Sequence, residues 1–328
     1  MKTSPMPRRA LCAMLLAAAA AAAFAAAAER VPARPITLIV AFAPGTGSDA
    51  VARIVAGAMA TALGRPVIVD NRSGAGGALG TEQGARAAPD GSTLTLATTS
   101  TLLTLPALNP KLRYHPDEDF VPVAGLARTP FVLVTADRAD APHSLAELEA
   151  RLAGAGGAFG SAGNGTITHL AAEYFVRQAG VQAVHVPYRG SGQALSDVAG
   201  GQLLFACDTP AAALPLIRGG KLRALAVSAP QRLPSLPDVP TGAEAGMPAF
   251  ELSAWWGLVA PAATPPAVVA ALSHAALKAL ATPEVHQQLE ALQVQPLPLD
   301  AAAFGALMHR EAPFWAGFVR RSGLRLEP

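Results

Sequence analysis

The sequence predicts an α/β protein of two domains, each a mainly parallel sheet flanked by helices, with a hinge and a central cleft between them. Three observations carry this expectation. Short apolar, β-branched runs alternate with helical segments through most of the chain, the order of strand–helix units in parallel sheets. Stretches marked by proline and glycine, near residues 124–130 and 232–248, interrupt that alternation twice. A final strand followed by a run of helices is too little to close a sheet alone and must pack back on the first units.

The first residues read as an address. Lys2, Arg8 and Arg9 precede an uncharged, alanine-rich stretch containing Leu11, Leu15 and Leu16, and Ala26 and Ala28 complete a small-residue end. This is the layout of a secretory signal over residues 1–28, cleaved after Ala28. Leu11 stands where a lipidation signal before Cys12 needs a small residue, and Arg8-Arg9 lacks the flanks of a twin-arginine signal. Cleavage takes three of the 25 bases and none of the 23 acids, for a net charge of about −1, and leaves Cys207 as a lone, core-like thiol. The 328-residue chain is 51% hydrophobic and 15% charged, which excludes a disordered polar protein and an evident nucleic-acid binder. An exported chain with no disulfide and no later membrane-spanning stretch fits a bacterial periplasm.

Residues 36–42 form a continuous apolar run, the pattern of a strand buried on both faces. A turn over 44–48 leads into a helix over 49–63, which Gly64-Arg65-Pro66 ends before a strand at 67–69. Further strands are expected at 94–97, 131–135, 159–161, 184–186, 203–206 and 222–227. Ser144-Leu145-Ala146-Glu147 has the form of a capping box, and Thr282-Pro283 pairs an N-cap with a first-turn proline. A long strand over 250–261 precedes helices over 266–281, 283–292 and 300–320. The resulting plan is one domain from 29–129 plus 250–328, a second from 130–249, and two crossing segments as the hinge.

The loop Pro44-Gly45-Thr46-Gly47-Ser48-Asp49 follows a strand and opens a helix, where unpaired amides offer an anion site; Ser48 or Asp49 is the expected N-cap. Gly45, Gly47 and Ala50, with Asp70 ending the next strand, also fit a dinucleotide fingerprint, so a dinucleotide-dependent oxidoreductase is the alternative reading. The export signal argues against it. Asn71-Arg72-Ser73-Gly74-Ala75-Gly76-Gly77 and Ser161-Ala162-Gly163-Asn164-Gly165-Thr166 repeat the strand–glycine–helix theme. Two helix starts facing each other across a cleft would hold a small carboxylate.

Catalytic signatures are missing. Ser191 lies in Arg189-Gly190-Ser191-Gly192-Gln193 rather than a nucleophile elbow, and the seven histidines form no metal-ligand pattern, so neither enzyme activity, metal nor cofactor is expected. His169 is placed to structure its loop, and His185 reads as a core or edge residue. Glu147 and Glu149 read as a solvated face. Tyr188 ends a strand, facing the cleft or capping the core, and Asp208 ends another, where α/β folds bind ligands. Trp255 and Trp256 read as structural residues pointing to opposite faces.

Several segments stand in one order along the chain. They are residues 39–45 with Asp49 and Ala52-Arg53, Asn71-Arg72 with Gly74 to Gly77, Gly163-Asn164-Gly165-Thr166 with His169-Leu170, Val186-Pro187-Tyr188-Arg189-Gly190, and Trp256-Gly257-Leu258 with Ala260-Pro261. This ordered set resembles the Bug family, the periplasmic solute receptors of tripartite tricarboxylate transporters. The resemblance implies a periplasmic-binding-protein-like fold closing on a small organic acid or amino-acid-like ligand. Loops of both domains would reach its carboxylate through amides, hydroxyls and bridging waters. Carried onto this chain, it places Phe42, Thr46, Gly47, Ser48 and Asp49 on one wall, and Ser161, Asn164, Gly165 and Thr166 on the other. Ser100, Tyr188 and Asp208 complete the set. The family usually has glycine where Thr46 stands, so a side chain there narrows the pocket or adds a hydroxyl. Asp49 would hold helix amides or read an amino group of the ligand. A monomer is expected, with membrane transporter subunits or a sensor kinase ectodomain as partner.

Overall fold

The computed structural model describes residues 32–322; the signal segment over 1–28, with Cys12 and the Ala28 cleavage point, lies outside the described residues. The chain opens with β1 (Ile36–Val40), α1 (Gly47–Leu63), β2 (Val67–Asn71), α2 (Ala78–Ala85) and β3 (Thr93–Thr98). A π-helical turn (Ser100–Thr104) and two single-turn helices, α3 (Leu105–Leu108) and α4 (Pro116–Asp119), lead to the long β4 (Phe120–Pro130). Next come β5 (Val132–Ala136), α5 (Leu145–Ala155), β6 (Ala158–Ser161), α6 (Ile167–Gln178) and β7 (Val184–Pro187). They are followed by α7 (Ser191–Ala199), β8 (Phe205–Asp208), α8 (Pro210–Arg218) and β9 (Leu222–Val227). The chain returns through β10 (Ser253–Pro261), α9 (Pro266–Leu280), α10 (Pro283–Ala291), β11 (Gln295–Leu299) and α11 (Ala301–Ser322).

These strands form two sheets, ordered β11-β4-β10-β3-β1-β2 and β7-β6-β8-β5-β9. Both are mixed. The strand–helix units pair in parallel, β1 with β2 and β3, and β6 with β7 and β8. The antiparallel pairs involve β10, β4 and β11 in the first sheet and β5 in the second. Strands that carry the chain between sheets enter against the direction of the units they join, so the mainly parallel expectation holds only within the units.

Two strands escaped the sequence pattern. β4 covers the stretch read as a break, because Pro122 and Gly125 masked it; Pro122 pairs with Val259 beside a register shift, where a missing amide is tolerated. β11, Gln-Pro-Leu-Pro-Leu, is an edge strand, the place in a sheet that accepts prolines. Caps differ in detail too. Ser144 Oγ accepts the Glu147 amide, but Glu147 reaches back to the His143 amide, one residue outside the usual box. Thr282 occupies its N-cap position without capping, because its hydroxyl donates to the Ala279 carbonyl.

Ile36, Leu38 and Val40 face α1, packing with Val51, Val55 and Met59. The C-terminal helix α11 covers the other side of the first sheet, where Phe304 meets Trp255 edge-on with centroids 5.2 Å apart. Further along, its Phe314 and Phe318 reach Tyr174 of α6, so one helix bridges both sheets. Both crossings converge on buried Ser228. Its amide donates to the Phe131 carbonyl, its hydroxyl accepts from the Phe131 amide and donates to the Leu252 carbonyl, and its own carbonyl accepts from the Leu252 amide.

The sheet-facing side of α2 lies against the end of β1 so closely that a Cβ on Gly80 would sit 2.5 Å from the Arg72 carbonyl oxygen and 2.8 Å from Ala41 Cα. Backbone cannot rotate away, so Gly80→Ala should lower stability by about 1–3 kcal/mol in urea unfolding. Gly57, exposed inside α1 with open space where a Cβ would stand, gives the opposite sign. Gly57→Ala should add about 0.5–1 kcal/mol through helix propensity. Equal effects at the two positions would contradict this packing.

Candidate functional site

The first wall grows from the end of β1. Gly45 takes a left-handed φ of +80°, turning the chain so that Thr46 becomes the N-cap of α1, in place of Ser48 or Asp49. Thr46 Oγ1 accepts the Asp49 amide and donates to the Ala43 carbonyl, so its hydroxyl is spent within the loop. Asp49, in the first turn of the helix, is buried and accepts from the Gly45 amide at 2.9 Å, Asn71 Nδ2 at 3.0 Å and both Nε and an Nη of Arg53. Burial pushes its carboxyl up, but these hydrogen bonds outweigh that and hold it below the ordinary carboxylate range. Asn71 also donates to the Phe42 carbonyl. Ser48 Oγ accepts the indole N–H of Trp256 at 2.9 Å, from β10 beneath the loop. Among the described residues the amides of Gly47 and Ser48 have no protein acceptor.

The second wall grows from the end of β6. Ser161 Oγ binds the Gly163 amide and lies 2.7 Å from His185 Nε2. Gly163 and Gly165 take φ of +131° and +74°, a path closed to most side chains. Thr166 is the N-cap of α6; its hydroxyl accepts the His169 amide and donates to the Gly163 carbonyl. His169 Nδ1 accepts the Gly165 amide at 3.2 Å, which leaves the ring proton on Nε2. Burial and the neighbouring His185 push the His169 pKa down to about 3, and burial pushes His185 down to about 4, so both are neutral near pH 7.

The walls meet at the π-helical turn. Ser100 Oγ accepts the Ile167 amide at 3.0 Å, and Thr104 Oγ1 donates to the Gly165 carbonyl at 2.8 Å. Asn164 is exposed, with its carbonyl beside Gly76, and the Phe42 ring lies beside Gly77 and Thr101. The fold thus joins Phe42, Thr46, Gly47, Ser48 and Asp49 to Ser161, Asn164, Gly165 and Thr166 through the glycine turn at 74–77 and Ser100. Tyr188 touches this set only by backbone: its amide donates to the Ser161 carbonyl, while its hydroxyl donates to Asp197 on α7. Asp208 is buried at the end of β8 and accepts from the Thr209 amide; burial raises its pKa to about 6.

Asp70 pairs in register with Ile39 and shares the sheet face that α2 covers, opposite α1. It accepts from Arg72, so Gly45, Gly47 and Asp70 do not converge as a dinucleotide site requires. Arg53, Asn71 and Trp256 stand in the ordered set of segments but have no part in the expected site, and Thr104 is not singled out by the sequence. Two of them carried a signal: Arg53 stands four residues after Asp49, the spacing of a helical ion pair, and a buried indole N–H such as that of Trp256 needs an acceptor.

A family model described as tripartite tricarboxylate transporter family receptor matches residues 51–324. The protein BugT of Bordetella pertussis is 37% identical over 306 residues, 92% of this chain and 93% of that protein. MatC from Rhodopseudomonas palustris, solved with bound malate, is similar at a TM-score of 0.78 and 35% identity, covering 88% of this chain and 99% of that one. Rpa4515 of R. palustris, solved with adipate, is similar at a TM-score of 0.84 and 29% identity, covering 90% and 99%. The chain is therefore a member of the tripartite tricarboxylate transporter receptor family, a family of periplasmic solute-binding receptors and not of enzymes.

Proposed function

We propose that this protein captures a small dicarboxylate between its two domains and delivers it to the membrane subunits of a tripartite transporter. The observation that carries the reading is the pairing of two capped helix starts, α1 and α6, on loops brought together from separate sheets. The relatives solved with malate and adipate support a dicarboxylate as the ligand class. In this reading the Gly47 and Ser48 amides, the Ser48 hydroxyl and the loop over 161–166 receive one carboxylate without a fixed cation. The cleft would open and close about the two crossings tied at Ser228. Export through the signal over 1–28, cleavage after Ala28, the domain limits at 129–130 and 249–250, and a monomeric state belong to the same proposal.

Asp49 has a structural part in it. With its acceptor positions taken by Gly45, Asn71 and Arg53, its carboxylate shapes the loop and keeps its charge turned from the ligand.

Calorimetric titration of the purified protein with malate, adipate and matched monocarboxylates should give one-to-one binding that favours the dicarboxylates. Binding of nicotinamide dinucleotide with no carboxylate binding would sink the proposal. Asp49→Ala should weaken every carboxylate ligand alike, by about tenfold or more, and lower stability by about 1–3 kcal/mol. A loss confined to ligands that carry an amino group would instead assign Asp49 to direct recognition.

A further inference from the structure

The binding reading leaves two histidines without a part, one buried and one half-buried. His169 on α6 and His185 on β7 lie face to face, ring centroids 3.7 Å apart and 9° from parallel, with Phe159 stacked against both. Each ring ends on the same loop. His169 holds the Gly165 amide, and His185 stands at Ser161, which in turn holds the Gly163 amide. We propose that the stacked His169–His185 pair is the positioning element of the second wall, a latch that holds residues 161–166 in binding shape while both rings are neutral and releases them when protonated. The proposal rests on the reading of this loop as a ligand wall.

The geometry supplies the reason. A proton on His169 Nδ1 would face the Gly165 N–H donor to donor. Two imidazolium rings in an apolar stack would repel each other and lose their hydration. The acids on surrounding elements are engaged elsewhere: Glu173, one turn along α6, pairs with Arg177; Asp208 on β8 holds the Thr209 amide; and Asp197 on α7 accepts from Tyr188. Burial holds the latched rings at pKa values of about 3 and 4. In an opened loop they would take up protons near the ordinary value of about 6.5. Opening therefore gains as pH falls below about 6.5, by up to about tenfold per pH unit for each histidine exposed.

The test is amide hydrogen exchange of residues 161–166 in the ligand-free protein at pH 7 and pH 5, corrected for intrinsic exchange. The comparison is the double variant His169→Asn, His185→Gln, whose amides keep polar atoms near Nδ1 and Nε2 but do not titrate. Native protection should fall between the two pH values at least tenfold more than the variant's; identical profiles would overturn the latch. His169→Ala, with no acceptor, should leave Gly165 unprotected at both pH values, and native-like protection there would also overturn it. Should the double variant not fold, His185→Gln alone carries the comparison, with a shallower pH slope than native; an unchanged slope would overturn the proposal. Because exchange is read without ligand, failure of malate and adipate to bind would sink the receptor reading and leave the latch result standing.

Discussion

Asp49 is a buried carboxylate with donors on every side, and the shape of the first wall follows from how those donors are supplied. The Gly45 amide comes from the loop, Asn71 from the neighbouring strand and Arg53 from the next turn of α1. Together they fold the loop back over the helix start, so that Thr46 caps the helix and the Gly47 and Ser48 amides stay clear of the protein's own acceptors. A carboxylate near a helix N-terminus is favourable on its own account, and here it also leaves the positive end of the helix available. Trp256 adds a rigid floor from another part of the chain.

The second wall reaches a similar end by other means. No carboxylate organises it. Hydroxyls and an imidazole do: Ser161, Thr166 and His169 hold a path through Gly163 and Gly165. Ser100 and Thr104 of the first sheet's π-helical turn then bond the start of α6, so the first sheet partly builds the second wall. Ser228 links both crossings, and α11 spans from Trp255 to Tyr174. These contacts couple the two lobes, and loop geometry on one side depends on the other.

Much of this was legible in the residues. The β-branched runs at 36–42 and 222–227 read as strands because burial on both faces demands an unbroken apolar run, and the glycine loops marked the helix starts. β4 and β11 were illegible because proline and glycine, which normally punctuate, were tolerated at a register shift and at a sheet edge. Thr46 as the cap was hidden by Ser48 and Asp49, equally good capping residues that stand just inside the helix. Arg53 stands at the local i, i+4 spacing from Asp49, but Asn71 lies 22 residues from it and the partner of Ser48 lies 208 away, separations that no local pattern encodes. Asp70 shows the converse: its spacing suited a ribose-binding acid, but strand alternation turned it to the wrong face.

The central claim is that a carboxylate sits between the two helix starts, and a crystal structure of the protein with malate or adipate tests it most directly. The account predicts carboxylate oxygens within hydrogen-bond distance of the Gly47 or Ser48 amide and of the loop over 161–166 at once. A ligand held by one lobe alone, or lodged against the α2 face of the first sheet beside Asp70, Glu82 and Arg86, would contradict it.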